Sequence, residues 1–91
     1  MFIPKKLTKM PYAQAKVLVD GFGNLILVSY RTQVATVVAG RLHIFGLYSA
    51  TTRKHIGAFV SEYCGIDYQQ AKWLYEHNLD LDLNTGELLG D

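Results

Sequence analysis

The sequence contains a single cysteine, Cys64, among its 91 residues. One thiol forms no internal disulfide, and small secreted domains commonly depend on disulfides, so the composition favours a reducing cytoplasm. Long apolar runs are also missing, since the longest purely aliphatic one extends only from Leu25 to Val28. A membrane helix needs ~20 apolar residues, and the first residues of the chain do not have the order of a secretory signal. We therefore expect a cytoplasmic protein without a membrane segment.

Acidic residues are almost absent from the first part of the chain. In residues 1–60, Asp20 is the one acid beside eight lysines and arginines, a net charge of +7. In residues 61–91, Lys72 is the one base beside seven acids, a net charge of −6. Such asymmetry is typical of a basic binding surface or an acidic tail. The alternative is that the two parts fold together and neutralise each other.

The length and composition are those of one globular domain, residues 1–91. Hydrophobic residues make up 49% of the chain and charged residues 19%, enough apolar surface for one modest core. We expect the folded unit to begin at about Met10, which leaves residues 1–10 as a flexible N-terminal arm.

Apolar residues with a period of two predict four strands. The first lies within Tyr12–Asp20, and a glycine-rich turn leads from it to LILVSY. QVATVV then passes through Ala39 and Gly40 into RLHIFGLY. Because short links join successive strands, we expect an antiparallel meander.

After Tyr48 the apolar period changes from two to about 3.6, which predicts an amphipathic helix that ends before Gly65. Its apolar stripe consists of Ile56, Phe59, Val60 and Tyr63.

A second helix is predicted to start at Asp67, which has Gln70 three residues later as its capping-box partner, and to end at about His77. Leucines then alternate with acids. The predicted fold is therefore α+β: an antiparallel four-stranded meander sheet, followed by two helices packed on one face and a short C-terminal strand or tail.

Metal ligands do not occur at the spacings of known metal sites. The histidines and Cys64 lack the short ligand pairs of structural zinc sites. The C-terminal acids approach a calcium loop, but Thr85 stands where that loop requires glycine. The loop positions concerned are those of Asp80, Asp82, Asn84 and Asp91. We expect no metal and no cofactor.

Catalytic residue sets are equally absent from the pattern. Cys64 lies on the flank of the apolar stripe, where burial raises the pKa of a thiol and makes it a small hydrophobe. The basic part of the chain contains no pair of carboxylates. We therefore expect no enzyme.

The start of the first helix has an unusual charge pattern. Arg53, Lys54 and His55 lie where the free N–H groups of a helix favour acids. No acid lies three or four residues ahead of them to offset this charge, and Gly57 costs further helix stability. The pattern predicts a partner- or anion-binding basic corner. The alternative is an ordinary capped helix whose bases reach solvent or the acidic tail.

The predicted contact residues extend beyond the helix start. Trp73 is expected either to be covered by the tail leucines or to be exposed as an anchor for another chain. The basic corner consists of Ser49, Thr51, Thr52, Arg53, Lys54 and His55, and the other predicted contacts are Arg31, Arg41 and Trp73.

The segment SYRTQVATVVAGRLHIFGLYSATTRKHIGAFVSEYCG, residues 29–65, contains the pattern Tyr-x-Thr-x-Val-Ala followed by Tyr-Ser-x-Thr-Thr-x-Lys-His-Ile. It resembles a group of small uncharacterised proteins found mainly on phages and other mobile elements of bacteria. The matching positions are Tyr30, Thr32, Val34, Ala35, Tyr48, Ser49, Thr51, Thr52, Lys54, His55 and Ile56. The resemblance implies a setting in the host bacterial cytoplasm, where such accessory proteins bind host machinery and include inhibitors of nucleic-acid-targeting defence of the anti-CRISPR type.

The leading hypothesis is therefore a non-enzymatic phage or mobile-element protein that binds a host protein or nucleoprotein. Two alternatives stay open. One is direct nucleic-acid binding through the basic surface. The other is a homodimeric structural protein, formed through strand edges or through the oppositely charged parts of two chains.

Overall fold

Seven strands and two helices make up residues 1–90, the part of the chain that this computed structural model describes. The seven strands form one antiparallel sheet in chain order, and both helices lie between the fifth and sixth strands in sequence. The elements are β1 (Ile3–Lys5), β2 (Ala15–Val19), β3 (Leu25–Ser29), β4 (Thr32–Val38), β5 (Arg41–Ile44), α1 (Ala50–Tyr63), α2 (Tyr68–Glu76), β6 (Leu79–Asp82) and β7 (Leu88–Gly90).

The predicted sheet of four strands is wrong in its strand count, although the α+β class is correct. β2 to β5 are the four predicted strands, and both ends of the chain add to them. β1 pairs with β2, and β6 pairs with β5, with Leu42 opposite Leu81. β7 then pairs with β6. β1 and β7 have three residues each, too few to show a period of two, so only their partner strands reveal them.

The segment 1–10 is not the free arm that the sequence suggested, because it contributes to the sheet and to the core. Leu7 is fully buried. The amide of Thr8 donates to Oε1 of Glu62 at 2.8 Å, and its hydroxyl donates to Oε2 at 2.9 Å. These contacts fix the segment against the C-terminal half of α1.

The helices cover one face of the sheet, where alternate strand residues point inward. The apolar stripe of α1 lies against this face, as predicted, and Phe59 is fully buried there. α2 adds Ala71 and Leu74 to the same core. The inward-facing strand residues include Val17, Leu25, Leu27, Ala35, Val37, Leu42 and Ile44.

Local signals in the sequence set the helix boundaries. Gly65 has φ +69°, and the amide of Ile66 donates to the carbonyl of Val60 at 3.3 Å, which ends α1 as predicted. Asp67 and Gln70 form the predicted capping box at the start of α2. Neither helix combines the length and the apolar character that crossing a membrane requires.

Candidate functional site

The start of α1 divides the residues of the basic corner into an inner and an outer set. α1 begins at Ala50, and the amide of Arg53 donates to the carbonyl of Ser49 at 3.0 Å, so Arg53, Lys54 and His55 lie beyond the free N–H groups where the sequence had placed them. Thr52 and His55 are three residues apart and so lie on the same side of the helix, where both are buried. Thr51, Arg53 and Lys54 are exposed. The six residues of the basic corner therefore do not form a single anion-binding site.

Ser49 forms the N-cap of α1. Its hydroxyl oxygen accepts a hydrogen bond from the amide of Thr52 at 3.2 Å. The Ser49 O–H also donates a hydrogen bond to the hydroxyl oxygen of Thr52 at 3.3 Å. Capping satisfies one of the free amides of the helix start, so the hydroxyl of Ser49 serves the fold.

A buried polar network joins α1 to β3. Oγ of Ser29 lies 2.9 Å from Oγ1 of Thr52 and 2.8 Å from Nδ1 of His55. Ser29 is 2% exposed and His55 is 1% exposed. Burial lowers the pKa of His55, because removal from water disfavours the charged ring. His55 therefore adds no positive charge to the helix start at neutral pH.

The contact between Ser29 and His55 has the pair of groups found in serine nucleophiles, but its surroundings differ. The hydroxyl of Ser29 is enclosed, so a substrate carbonyl cannot reach it. Burial also raises the pKa of the Cys64 thiol to about 12, so this thiol is protonated at neutral pH. Both groups contribute to packing and hydrogen bonding.

A shallow hollow of about 470 Å³ lies on the outer surface of α1. Its surface is almost entirely apolar, and Arg53 and Lys54 are among the residues that line it. We call it the α1 hollow; its lining residues are Met10, Arg53, Lys54, Gly57, Ala58 and Tyr68.

Gly57 has a structural role in this hollow. A Cβ atom at Gly57 would lie 3.2 Å from Cβ of Tyr68, closer than most side-chain contacts. The glycine thus allows α1 and α2 to approach each other. The hydroxyl of Tyr68 is buried and has no hydrogen-bond partner within residues 1–90.

The acidic tail neutralises only part of the basic surface. Asp80 is 6% exposed; its Oδ2 pairs with Nε of Arg41 at 2.5 Å, and its Oδ1 lies 2.7 Å from Nδ1 of His43. Within the described part of the chain, no acid forms an ion pair with Arg53 or Lys54. Within residues 1–90, the positive charge beside the α1 hollow is therefore not neutralised by an ion pair.

The tail acids also have local roles that differ from those of a calcium loop. Asp82 accepts hydrogen bonds from the amides of Asn84 and Thr85, at 2.8 and 3.3 Å, and so shapes the turn between β6 and β7. Asp80 is turned toward Arg41. Asp91, the last position of the calcium pattern, lies outside the described residues.

The remaining predicted contact residues lie in three other places. Arg41 alternates with the buried Leu42 and so points away from the helices. Arg31 is exposed in the turn between β3 and β4. Trp73 is 44% exposed, and its ring stacks on that of His77 with the centroids 4.1 Å apart. It lines a different groove from the α1 hollow.

Residues 5–74 match a family of unknown function (DUF8033). The chain belongs to this family. No curated protein and no solved structure matches the chain. The part of the chain matched to DUF8033 contains β2 to β5, α1 and every residue that lines the α1 hollow, whereas β6 and β7 follow it.

The sequence interpretation missed the inward orientation of Thr52 and His55. The signal was present, because Thr52, His55, Ile56 and Phe59 follow the spacing i, i+3, i+4, i+7 of the buried stripe. Ser29, which ends a buried strand, is the natural partner for such inward polar groups. Tyr68 and Met10 gave no signal, since their place in the hollow depends on how α1, α2 and the N-terminal segment pack.

Proposed function

We propose that this protein is a non-enzymatic binding module that docks a partner protein on the outer surface of α1. The observation that carries the proposal is an apolar hollow bordered by Arg53 and Lys54, neither of which has an ion-pair partner within residues 1–90. A complementary partner presents an apolar side chain to the hollow and a carboxylate or phosphate to the two bases. The charges guide the encounter, and the apolar contact supplies buried area.

The stability of α1 supports this assignment. Basic residues in the first turn of a helix each cost about 0.3–1 kcal/mol when exposed, and the effect falls off beyond that turn, so Arg53 and Lys54, the fourth and fifth residues of α1, oppose its stability weakly. Arg53 and Lys54 gain nothing from intrahelical acids to offset this cost, since the four positions after Lys54 are His55, Ile56, Gly57 and Ala58. Residues that oppose local stability are more common at functional sites than elsewhere.

The setting of the proposal is the cytoplasm of a bacterial host. It rests on the resemblance of residues 29–65 to proteins of phages and other mobile elements. The partner is then a host protein or nucleoprotein, and inhibition of a nucleic-acid-targeting defence is the role that such a setting favours.

Direct nucleic-acid binding is the weaker alternative. It needs bases distributed along one surface together with aromatic rings for stacking. Arg41 pairs with Asp80 on the opposite side of the sheet from α1, and Tyr68 is the one aromatic residue among those that line the α1 hollow. These positions favour a protein partner over a nucleic-acid strand.

The test is affinity capture from lysate of the bacterial host with three baits. The wild-type protein should recover one specific partner, and the double variant Arg53→Glu/Lys54→Glu should lose it. Lys16→Glu is the matched control, because Lys16 is exposed on β2 and does not line the hollow. Equal capture by all three baits would contradict the proposal.

Two further measurements separate the alternatives. Nucleic-acid binding predicts retention of single or double strands at low salt, with an affinity that falls steeply as salt is added. A homodimer predicts a doubled mass in solution. If either result were found, and capture of the partner did not depend on Arg53 and Lys54, the corresponding alternative would take the place of the proposed function.

A further inference from the structure

The two open edges of the sheet differ in their backbone groups. At the β1 edge, the amide of Asp20 donates to the carbonyl of Asn24 at 3.2 Å, so Asp20 and, by alternation, Leu18 direct their backbone groups toward β3. Pro4 lies opposite Leu18 and therefore turns its nitrogen to the open edge. Because proline has no N–H, this edge is poorly suited to accept another strand.

Within residues 1–90, the β7 edge has no such protection. The amide of Asp82 donates to the carbonyl of Glu87 at 2.9 Å. By the same alternation, Leu88 and Gly90 direct their N–H and C=O groups away from β6, toward the open edge. β7 consists of Leu88, Leu89 and Gly90, so no proline or lysine blocks it.

An apolar groove of about 540 Å³ lies beside this open edge, between α2 and the end of the sheet. α2 contributes Trp73 and Leu74, and the strands contribute Leu81 and Leu88. Leu88 lies opposite Leu81, so both point to the groove side of the sheet. Trp73 is 44% exposed and Leu88 is 47% exposed. An incoming strand would therefore meet free backbone groups and an apolar groove together.

The charge around the groove favours a basic occupant. Asp67 lines it, and no lysine or arginine is among the lining residues. Glu87, the residue before β7, lies opposite Asp82 and so points to the other face of the sheet, where the neighbours of a residue seated in the groove would also point in an added strand. This part of the chain, residues 61–91, carries a net charge of −6.

We propose that β7 and this groove bind an extended segment of a partner protein by strand addition, with an apolar side chain seated between Trp73 and Leu88 and lysines or arginines on either side of it. Backbone hydrogen bonds provide affinity in this mode, and pockets for alternate side chains provide specificity. A second copy of this chain fits less well, because pairing two β7 edges brings the acids around the two grooves together and β1 presents Pro4. The site is separate from the α1 hollow.

The proposal is tested with a display library of random heptapeptides selected against the full chain. We expect enrichment of peptides in which apolar residues alternate with lysine or arginine. Trp73, the one tryptophan of the chain, reports the binding of a synthetic copy of the best peptide through its fluorescence. Hydrogen exchange at the amides of Leu88 and Gly90 should slow when the peptide binds.

Matched variants assign the binding to the edge and to the groove. Leu88→Asp removes an apolar wall, and Gly90→Pro removes an outward N–H at a residue whose φ is not positive. Each substitution should lower the affinity for the peptide by about tenfold or more. Ile3→Asp, at the opposite edge and 59% exposed, is the control and should bind as the wild type does. Thermal unfolding of each variant confirms that the fold is kept.

Three results would overturn the proposal: no enrichment from the library, binding without slower exchange at Leu88 and Gly90, or equal binding by Gly90→Pro. A doubled mass in solution that Leu88→Asp reduces would make a second copy the occupant. The double variant Arg53→Glu/Lys54→Glu should bind the peptide normally, so failure at one surface is distinguishable from failure at the other.

Discussion

The hydroxyl of Ser29 lies 2.8 Å from Nδ1 of His55, and both residues are almost completely buried where β3 meets the first turn of α1. The same hydroxyl lies 2.9 Å from that of Thr52. One serine thus contacts two polar groups of the helix that are almost completely removed from water, and Ser49 is a second partner of the Thr52 hydroxyl. Hydrogen bonding of this kind offsets the cost of burying the three groups and fixes the position of α1 on the sheet.

Ser29→Ala should lower the free energy of unfolding by about 1–3 kcal/mol, because it leaves His55 and Thr52 without this partner in a buried place. Urea denaturation measures the change. Ser61→Ala is the control; Ser61 is exposed on α1, and we expect a change within about 0.5 kcal/mol. An effect of Ser29→Ala as small as that of the control would show that the network contributes little to stability.

The protein should lose stability as the pH falls below the pKa of an ordinary histidine side chain. Burial lowers the pKa of His55 from its usual 6.5 in the folded chain. The unfolded chain therefore binds this proton first on acidification, and the free energy of unfolding falls as the pH decreases from about 6.5 toward the lower folded pKa. Stability from this source is fully present above the unfolded pKa.

Two variants isolate this effect. His55→Asn keeps a polar group near Ser29 but does not titrate, so its free energy of unfolding should change less than that of the wild type between about pH 7 and 5.5. His55→Gln, a second substitution that does not titrate, should show the same reduced dependence on pH. Parallel curves for the wild type and His55→Asn would exclude His55 as the source.

The parts of the fold that were predictable from the sequence depend on local signals. β2 to β5 show a period of two, α1 shows a period of 3.6, and Asp67 with Gln70 marks the start of α2. β1 and β7 were not predictable, because a three-residue strand is stabilised by its neighbour and not by its own pattern. The pairing of Arg41 with Asp80 likewise depends on β5 and β6 meeting across two intervening helices.

In the candidate site, too, the features that local sequence signals could predict differ from those that depend on tertiary packing. Arg53 and Lys54 fall outside the apolar stripe of the helical period, and the structure places both, exposed, beside the α1 hollow. Thr52 and His55 were assigned to the same corner because of their chemistry, although the apolar period already placed them inward. From the sequence, Gly57 was interpreted only as a loss of helix stability. The structure explains a glycine at this position by the close approach of Tyr68 from α2.

Gly57→Ala tests that approach. In an exposed helix interior, this change stabilises by about 0.8–1 kcal/mol. Here the new Cβ would lie 3.2 Å from Cβ of Tyr68, so α2 must shift to admit it. We expect the free energy of unfolding to stay within about 0.5 kcal/mol of the wild type or to fall. Thermal denaturation measures the change in the free energy of unfolding. If Gly57→Ala stabilised the protein by the full amount expected in an exposed helix, α1 and α2 would be able to move apart without cost.

Arg53→Glu should separate the stability of the fold from partner binding. Position 53 is the fourth residue of α1, just beyond the free N–H groups, and a negative charge there suits the helix dipole better than a positive one. The free energy of unfolding should therefore rise by about 0.3 kcal/mol at low salt, the lower end of the usual range. Lys16→Glu, on a strand without such a dipole, should change it by less than about 0.5 kcal/mol. Chemical denaturation at low and high salt measures both, and the gain should shrink as salt screens the charges. If Arg53→Glu instead destabilises the chain, Arg53 serves the fold and is no longer free for a partner. If it stabilises the chain while the partner is lost from affinity capture, the unfavourable charge at this position is explained by binding and not by folding.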